Sequence, residues 1–426
     1  MQRKIMIVVG ARPNFMKAAP ILTAIQQHNK GVTQGGGPEF KRTGEDVLRP
    51  ILVHTGQHYD QAMSDQFFAD LNLSKPDVYL GVGSASHAIQ TAEIMKKFEE
   101  VLSRERPDVV VVVGDVNSTV ACALVTAKIS FDSNGTRPLI AHVEAGLRSF
   151  DRTMPEEVNR VVTDHLSDLL FVTEESGLRN LRDEGISSEK IHFVGNTMID
   201  SLLAFKDKAE ASEILQELGL RERLGKNGPS GSIARYALLT LHRPSNVDQC
   251  DSFQNILSGL EDLAKSLPII FPAHPRTQRR IQEFGLGLRL LTSATKRNGE
   301  SGTTDQLREG IAMTDPLGYL DFLCLMKHAA IVVTDSGGIQ EETTCLGIPC
   351  VTVRENTERP VTAESGTNMV AGTDKEKIKE AIRRQLGAKN RNGAPKNWDG
   401  RAASRIVDVL IRTDFGRASS RPATLS

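Results

Sequence analysis

Short, continuous apolar runs recur along the chain and alternate with amphipathic stretches. They cover residues 5–9, 109–113, 139–143, 169–173, 191–195, 237–240, 269–272, 331–334 and 349–353, and the stretch 13–27 predicts a helix after the first run. Strands without polar–apolar alternation are buried on both faces, as in parallel sheets covered by helices. The sequence therefore predicts an α/β fold with doubly wound parallel sheets.

The length of 426 residues predicts two domains of about 200 residues each. A boundary is expected near 195–197, because a new strand series begins at Ala237. We predict an N-terminal domain of 1–198 plus 400–426, a C-terminal domain of 199–399, and a cleft between them that binds ligand beyond the carboxyl ends of the strands. The polar, glycine-rich stretches 31–49, 227–232 and 295–310 are expected to be surface insertions.

Composition and missing motifs exclude several classes of function. Lys plus Arg total 52 and Asp plus Glu total 53, whereas a nucleic-acid binder is usually basic. No apolar stretch approaches the ~20 residues of a membrane span, and we expect no signal peptide. The five cysteines form no C-x-x-C pair, which favours a reducing, cytoplasmic location. Metal-binding and dinucleotide-binding motifs are absent from the sequence, so we expect neither a metal nor a cofactor.

Two strand-to-helix turns are candidate phosphate sites. In the first, Arg12 and Lys17 surround a predicted helix N-terminus, where N–H groups and partial positive charge favour an anion. In the second, Ser336 is expected to cap a helix, while Gly337 and Gly338 allow a phosphate close to the backbone. The alternative for each is an ordinary turn, although one such turn per domain is harder to explain by structure alone.

Acidic and histidine side chains follow several predicted strands. Asp115 follows the run 109–113, Glu144 follows 139–143, and Glu156 opens a helix, where an acidic residue often only stabilises the helix dipole. His242 and His274 each lie next to or near an arginine after a strand. Such positions point toward the ligand edge of a parallel sheet.

Taken together, these motifs resemble the non-hydrolysing UDP-N-acetylglucosamine 2-epimerases. The matching segments are 10–13, 55–58, 114–115, 142–148, 155–157, 195–197, 241–243, 334–342 and 357–360, and the resemblance runs from Lys4 to about Gly372. It implies two Rossmann-like domains in a glycosyltransferase-B-like arrangement, with the segment 400–412 crossing back onto the first domain. It also implies a homodimer.

The resemblance assigns roles to individual residues. Asp115, Glu144, Glu156 and His242 match catalytic positions. Matches to substrate-binding positions place uracil near Leu317 and Phe322, ribose at Glu342, and diphosphate at Arg12, Ser336, Gly337, Gly338 and Arg359, with Lys17 and His274 as further contacts. Gln57 and His58 match a segment that some members use for a second, activating UDP-sugar.

Some positions depart from the family pattern. Pro244 and Ser245 stand where many members have Arg and Glu, and Val361 stands where many have Glu.

The expected reaction interconverts UDP-GlcNAc and UDP-ManNAc by elimination and re-addition of UDP through a 2-acetamidoglucal. The alternatives are a hydrolysing epimerase that releases UDP and ManNAc, a UDP-sugar glycosyltransferase of the same fold, and a non-catalytic UDP-sugar sensor.

Overall fold

Two parallel β-sheets, one in each half of the chain, form the framework of the fold. The computed structural model describes residues 2–34, 47–57, 75–221, 231–290, 309–388 and 393–415. The chain divides into a first unit, Met1–Ser201 with Lys396–Ser426, and a second unit, Leu202–Pro395. The division falls inside a helix, after Ser201, rather than in the turn at 195–197.

The first unit carries a seven-stranded sheet in the order β3-β2-β1-β4-β5-β6-β7, with every neighbouring pair parallel. Its strands are β1 (Gln2–Val9), β2 (Val47–His54), β3 (Val78–Tyr79), β4 (Val109–Val113), β5 (Leu139–Ala145), β6 (Leu169–Val172) and β7 (Ile191–Phe193). The helices are α1 (Arg12–Gln34), α2 (His87–Glu105), α3 (Asn117–Lys128), α4 (Pro155–Leu166), α5 (Glu175–Asp183) and α6 (Thr197–Ala209), which continues into the second unit.

The second unit repeats the arrangement, with strand order β10-β11-β9-β8-β12-β13-β14 and parallel pairing throughout. Its strands are β8 (Ala237–Thr240), β9 (Ile269–Pro272), β10 (Arg289–Leu290), β11 (Ile311–Thr314), β12 (Ile331–Thr334), β13 (Cys350–Thr352) and β14 (Asn368–Val370). Its helices are α7 (Ile214–Glu217), α8 (Pro244–Val247), α9 (Cys250–Gly259), α10 (Glu261–Ser266), α11 (Pro275–Glu283), α12 (Tyr319–His328), α13 (Gly337–Leu346), α14 (Pro360–Glu364) and α15 (Lys375–Gly387).

The predicted α/β class with doubly wound parallel sheets is confirmed. Strand β4 shows why, since all five of its valines are at most 1% exposed and therefore packed on both faces. Full burial of a valine side chain contributes about 1.5–3 kcal/mol, so such a run is stable only inside a covered sheet. Five strands were not predicted: β2, β3, β10, β11 and β14. In β2 the apolar run is interrupted by Arg49 and Pro50, and the others have only two to four residues.

The last helix, α16 (Ala402–Arg412), belongs to the first unit and packs against α1. Asp200 caps its N-terminus by accepting from the N–H groups of Ala402 and Ala403 at 3.1 and 2.7 Å. The indole of Trp398, just before it, donates to the carbonyl of Thr173 at 2.9 Å. Side-chain capping and a buried indole thus fix the returning segment on this unit.

Each sheet has a point where the strand order reverses, between β1 and β4 in the first and between β8 and β12 in the second. Loops that leave the carboxyl ends of these strands run to opposite sides of the sheet and open a crevice that usually holds the ligand. The turns after these four strands contain Gly10, Asp115, His242 and Ser336. The topology thus places one candidate from each predicted motif at a reversal point. None of the helices in the described ranges is long and apolar enough to cross a membrane.

Candidate active site

The turn between β1 and α1 is held by Asn14. Its Oδ1 accepts from the N–H groups of Gly10 and Ala11 at 3.1 and 2.9 Å, while Nδ2 donates to the carbonyl of Val113 at 2.9 Å. The side chain therefore joins this turn to the end of β4. The N–H groups of Gly10 and Ala11 are thus both satisfied by Asn14. Arg12 is the first residue of α1.

Gly10→Ala is expected to destabilise the first unit by about 1–3 kcal/mol, the usual cost of overpacking. A methyl group there would overlap the hydroxyl of Ser118, which cannot swing away because it bonds to Thr55 at 2.8 Å. The matched control is Gly31→Ala within α1, where a new Cβ meets no atom within 4 Å. Since alanine favours helix, the control should gain about 0.5–1 kcal/mol. Urea unfolding measures both, and equal effects would contradict the packing argument.

Lys17 and Glu144 form a buried ion pair. The Lys17 ammonium contacts Glu144 Oε2, and the two side chains are 7% and 4% exposed. The prediction that Glu144 follows its strand is wrong, because β5 continues to Ala145 and Glu144 lies within it. Its φ of 78° and the register shift between Val143 and Ala145 mark a bulge. Bulges re-aim side chains near functional sites, and this one directs the carboxylate to Lys17.

Asp115 lies two residues beyond the end of β4 and is held by Arg160. The guanidinium donates to Asp115 Oδ2 at 2.6 Å and to Glu157 Oε2 at 2.7 Å, so one buried cation joins two carboxylates. The Asp115 carbonyl also accepts from Asn159 at 2.9 Å. The Asp115 side chain keeps 29% exposure, which leaves part of its carboxylate accessible. Sequence reasoning missed Arg160, although it lies one helical turn after Pro155–Glu157.

The two glutamates at the start of α4 have different environments. Glu157 is buried and accepts from the N–H groups of Ser149 and Phe150 at 3.0 and 2.8 Å, so it fixes the preceding loop. Glu156 is half-buried, and within the described residues its carboxylate has no hydrogen bond or ion pair. The Glu157 carboxylate thus holds the preceding loop, whereas Glu156 remains a candidate for a catalytic role.

A buried charge network supports the turn after β4. His142 Nδ1 lies 2.6 Å from Asp164 Oδ1, and Nε2 lies 2.8 Å from the carbonyl of Gly114. Arg148 and the N–H of Gly146 also donate to Asp164, at 2.7 and 3.1 Å. Burial alone would raise the pKa of Asp164, but His142 and Arg148 lower it below its usual value. Both His142 nitrogens thus face acceptors, which fixes the ring between Asp164 and the carbonyl of Gly114.

Gln57 holds the start of α3. Its Oε1 accepts from the N–H and the hydroxyl of Ser118 at 2.9 and 2.7 Å. This bond serves as a cap, because Val116, the residue before the helix, has no side-chain acceptor. Nearby, burial lowers the pKa of His54 to about 4, and its neutral Nδ1 accepts from the N–H of Gly56 at 2.7 Å. His58 lies outside the described residues.

In the second unit, His242 and Asp335 form a dyad. His242 Nδ1 lies 2.9 Å from Asp335 Oδ1, and the N–H groups of His242 and Arg243 also donate to this carboxylate. Asp335 is fully buried, whereas the His242 side chain is 52% exposed. Sequence reasoning missed Asp335 as a site residue. It follows β12 directly, so the strand-end rule that selected Asp115 would have found it.

A cluster of arginines and glutamates lies beside this dyad. Glu358 accepts from Arg354 at 2.8 Å and lies 3.8 and 3.5 Å from the guanidinium groups of Arg243 and Arg359. Burial would raise the pKa of Glu358, but Arg359 and Arg354 hold it well below its usual range. Arg359 Nε also lies 2.6 Å from Glu341 Oε1, an ion pair without hydrogen-bond geometry. Three cations against two carboxylates leave the cluster net positive.

The second predicted phosphate turn opens helix α13. Ser336 occupies the N-cap position, but its hydroxyl makes no capping bond to the helix, contrary to expectation. Its N–H instead donates to Thr334 Oγ1 at 3.0 Å. A Cβ on Gly337 would come within 2.6 Å of Glu358 Oε1, so only glycine fits there, and Gly338 beside it is half-buried. A ten-residue helix thus begins at a turn with little side-chain bulk.

The remaining predicted contacts are found at three places in the second unit. Glu342 is buried in α13 and accepts from the hydroxyl of Tyr319 at 3.0 Å, a residue that sequence reasoning missed. Leu317 and Phe322 are half-buried before and within α12. His274 is exposed at the N-cap of α11, where its Nδ1 accepts from the N–H of Arg276 at 3.4 Å.

Across the described ranges, no group of three or more His, Cys, Asp or Glu side chains is placed to hold a metal ion.

Comparison with known proteins decides the family. The family model described as UDP-N-acetylglucosamine 2-epimerase matches residues 41–411. The chain belongs to this family. It is therefore an epimerase, and the resemblance inferred from the motifs is confirmed.

Similar proteins agree with this assignment. The UDP-N-acetylglucosamine 2-epimerase of Methanocaldococcus jannaschii is 39% identical over 96% of this chain and 98% of its own. Its crystal structure in complex with UDP-GlcNAc and UDP covers 96% of this chain and 99% of that chain, with a TM-score of 0.77. A UDP-2,3-diacetamido-2,3-dideoxy-D-glucuronate 2-epimerase of Pseudomonas aeruginosa is 34% identical over 96% of this chain and 99% of its own.

A structure of the glycotransferase of kitacinnamycin has a TM-score of 0.51 and 10% identity, covering 97% of this chain and 99% of that chain. At this identity, the similarity to our chain shows a common fold and nothing about function. The epimerase family and a glycosyltransferase thus use the same two-unit α/β framework, and residues of the site must separate them.

Proposed function

We propose that this epimerase interconverts UDP-N-acetylglucosamine and UDP-N-acetylmannosamine and keeps UDP bound throughout. One observation carries the proposal: two carboxylates at the carboxyl ends of β4 and β5, Asp115 and Glu144, are each held against a buried cation. Asp115 follows β4, which borders the strand-order reversal of the first sheet, and Glu144 lies on the neighbouring strand β5, in a chain of the epimerase family. A glycosyltransferase would not need these acids.

The chemistry explains why several carboxylates are needed. The C2 hydrogen is not acidic, because no carbonyl is adjacent to it in the ring. As the C1–O bond breaks, UDP leaves with the electron pair and positive charge builds near C1. A carboxylate then takes the C2 proton, which leaves a C1=C2 double bond in a 2-acetamidoglucal. A proton returns to the opposite face of C2 while a phosphate oxygen of UDP re-adds at C1, so two groups must serve opposite faces.

The contacts of the three acids suggest how they divide this work. Contact with a cation favours the ionised form of a carboxylate. Glu144 against Lys17 and Asp115 against Arg160 are therefore suited to accept the C2 proton. Glu156, which has no cationic partner within the described residues, is suited to deliver one. Lys17 then acts by holding Glu144 rather than by binding phosphate.

The second unit is proposed to hold the nucleotide. The N-terminus of α13, with Ser336, Gly337 and Gly338, offers N–H groups and partial positive charge to the diphosphate. Arg359 and the net positive cluster around Glu358 add charge of the same sign. His242 would stabilise the negative charge that develops on departing UDP.

Further residues are proposed to contact the ribose, the uracil and the phosphates. Glu342 would accept from ribose hydroxyls, as it does from Tyr319, while Leu317 and Phe322 would flank uracil. Arg12 and His274 are proposed as additional phosphate contacts, and Gln57 with His58 as part of an activating site.

Incubation with UDP-GlcNAc in D2O, without added metal or NAD, tests the proposal. We expect UDP-ManNAc with deuterium at C2, because the proton that leaves is replaced from solvent. Elimination and re-addition involve no net oxidation, so no NAD is needed. Because the sequence has no metal-binding motif, EDTA should leave the rate unchanged. NMR of the products reads both the sugar and the isotope.

The same incubation separates the proposed reaction from the alternatives. Free ManNAc and UDP would indicate hydrolysis, and unchanged UDP-GlcNAc would fit a glycosyltransferase or a sensor. The Pseudomonas aeruginosa relative is named for a diacetamido uronate. A more than tenfold higher kcat/KM for that UDP-sugar would therefore reassign the substrate while keeping the C2 chemistry.

We further propose a cytoplasmic homodimer. All five cysteines are free thiols, which suits a reducing compartment. Four of the large apolar side chains that are exposed lie on the first unit: Tyr79, Ile89, Phe150 and Val158. Light scattering during gel filtration would contradict the dimer if it gave the monomer mass of 46.6 kDa.

A further inference from the structure

The Asp335 carboxylate receives an unusual number of donors. It accepts from the N–H of His242 at 3.0 and 3.1 Å, from the N–H of Arg243 at 2.9 Å and from Asn246 Nδ2 at 3.2 Å, and it faces His242 Nδ1 at 2.9 Å. Asp335 is 0% exposed and directly follows β12, so its position is set by the sheet. A carboxylate held by so many donors has little freedom to turn.

This arrangement determines which nitrogen of His242 carries a proton. An ionised carboxylate only accepts hydrogen bonds, so the ring nitrogen that faces it must donate. Burial would raise the pKa of Asp335, but His242 and the N–H groups of Arg243 and His242 lower it, which keeps the group ionised. The proton therefore resides on Nδ1. Nε2 is the ring nitrogen that does not face Asp335, and it belongs to a side chain that is 52% exposed.

We propose that Asp335 is a positioning residue that fixes the Nδ1–H form of His242 and so presents Nε2 to the departing diphosphate. This inference rests on the proposed function. Asp335 never touches the substrate. It orients the ring and stabilises the imidazolium that opposes the negative charge on UDP, as a buried carboxylate does for a catalytic histidine in general.

Asp335→Asn provides the sharpest test. The N–H of Arg243 and Asn246 Nδ2 both donate to Oδ2, so they hold the amide oxygen at that position. The amide nitrogen then occupies the Oδ1 position and donates to His242 Nδ1, which forces the proton onto Nε2. We expect kcat to fall by about 10²-fold or more, with KM for UDP-GlcNAc changed less than about threefold.

A double mutant separates positioning from simple support of the turn. If Asp335 acts through His242, adding Asp335→Asn to His242→Gln should cost less than about threefold further, because the ring it orients is absent. A merely structural role would give losses that multiply. Multiplying losses, or a KM effect as large as the kcat effect, would overturn the proposal.

The histidine tautomer can be measured without turnover. In protein with 15N-labelled histidine, the His242 ring signals, assigned by their loss in His242→Gln, should show Nδ1–H in the wild type and Nε2–H in Asp335→Asn. If the Asn variant does not fold, the wild-type spectrum still decides, since a ring without a proton on Nδ1 would refute the proposal. A wild type that shows Nδ1–H but does not epimerise UDP-GlcNAc would instead refute the proposed function.

Discussion

Conversion of Asp115, Glu144 or Glu156 to the corresponding amide is expected to lower kcat by about 10²–10⁴-fold, the usual cost of a lost general acid or base. UDP affinity should change little, because the nucleotide is proposed to bind mainly to the second unit. The measurements are turnover, C2 exchange in D2O, and UDP affinity by calorimetry on each folded variant. Retention of at least a tenth of normal turnover by all three would refute these catalytic roles.

Glu157→Gln is the matched control for Glu156→Gln. The two residues are neighbours in the first turn of α4, but Glu157 bonds to the N–H groups of Ser149 and Phe150 and to Arg160. Its loss should lower the free energy of unfolding by about 1–3 kcal/mol through unpaired buried donors. Turnover should stay above a tenth of normal. If both variants lose activity equally, Glu156 is not distinguished from a structural residue.

Glu144→Gln needs a second control, because it also leaves Lys17 buried without its anion. Removal of one partner of a buried pair is strongly destabilising, by about 3–5 kcal/mol, whereas removal of both is often neutral. The double variant Lys17→Met with Glu144→Gln should therefore regain stability but not turnover. Recovered turnover would show that the carboxylate serves only to pair with Lys17.

Sequence patterns predicted the sheet class and the strand-end positions because both depend on local composition. A run such as Val109–Val113 is stable only when covered on both faces, and the residue that follows it must lie at the ligand edge of the sheet. This is why Asp115, His242 and Ser336 were found without a structure.

The partners of these residues could not be predicted, because they come from distant parts of the chain. Arg160 reaches Asp115 over 45 positions, and Asp335 reaches the N–H of His242 over 93. No periodicity encodes such contacts. The bulge at Glu144 is likewise set by pairing with β6, so the run 139–143 gave no sign that the strand would continue.

Asp164→Asn is expected to lower the free energy of unfolding at pH 7 by about 3–5 kcal/mol, since it removes the buried anion that His142 and Arg148 share, and Arg148 keeps only Glu184 as its carboxylate partner. Asp164 is the shared anion of His142 and Arg148, and both contacting side chains are at most 1% exposed. Asp399→Asn is the control, because its ion pair with Arg405 is 47% and 30% exposed. An exposed pair contributes about 1 kcal/mol or less.

The lowered pKa of Asp164 predicts how the stability difference between wild type and variant depends on pH. The pKa of Asp164 is lowered in the folded protein, so its contribution to stability is present above the unfolded value of about 3.9 and is lost as pH falls through the lower folded value. The difference between wild type and variant should therefore be complete at pH 7. It should begin to shrink only below about pH 4.

This network also supports the turn that carries Asp115, which is proposed to be catalytic, so stability and turnover should be linked. His142 Nε2 donates to the carbonyl of Gly114, the residue before Asp115, and its Nδ1 lies 2.6 Å from Asp164 Oδ1, so Asp164 holds the ring that supports this turn. In the folded fraction of Asp164→Asn, the C2-exchange rate should therefore fall by about tenfold or more, the kind of loss that misplacement of a catalytic group by about 1 Å causes. Urea unfolding and exchange in D2O, both at pH 7, measure the two effects. A variant that loses less than about 1 kcal/mol would show that His142 and Arg148 are satisfied without Asp164, and normal exchange in a destabilised variant would separate the network from the Asp115 turn.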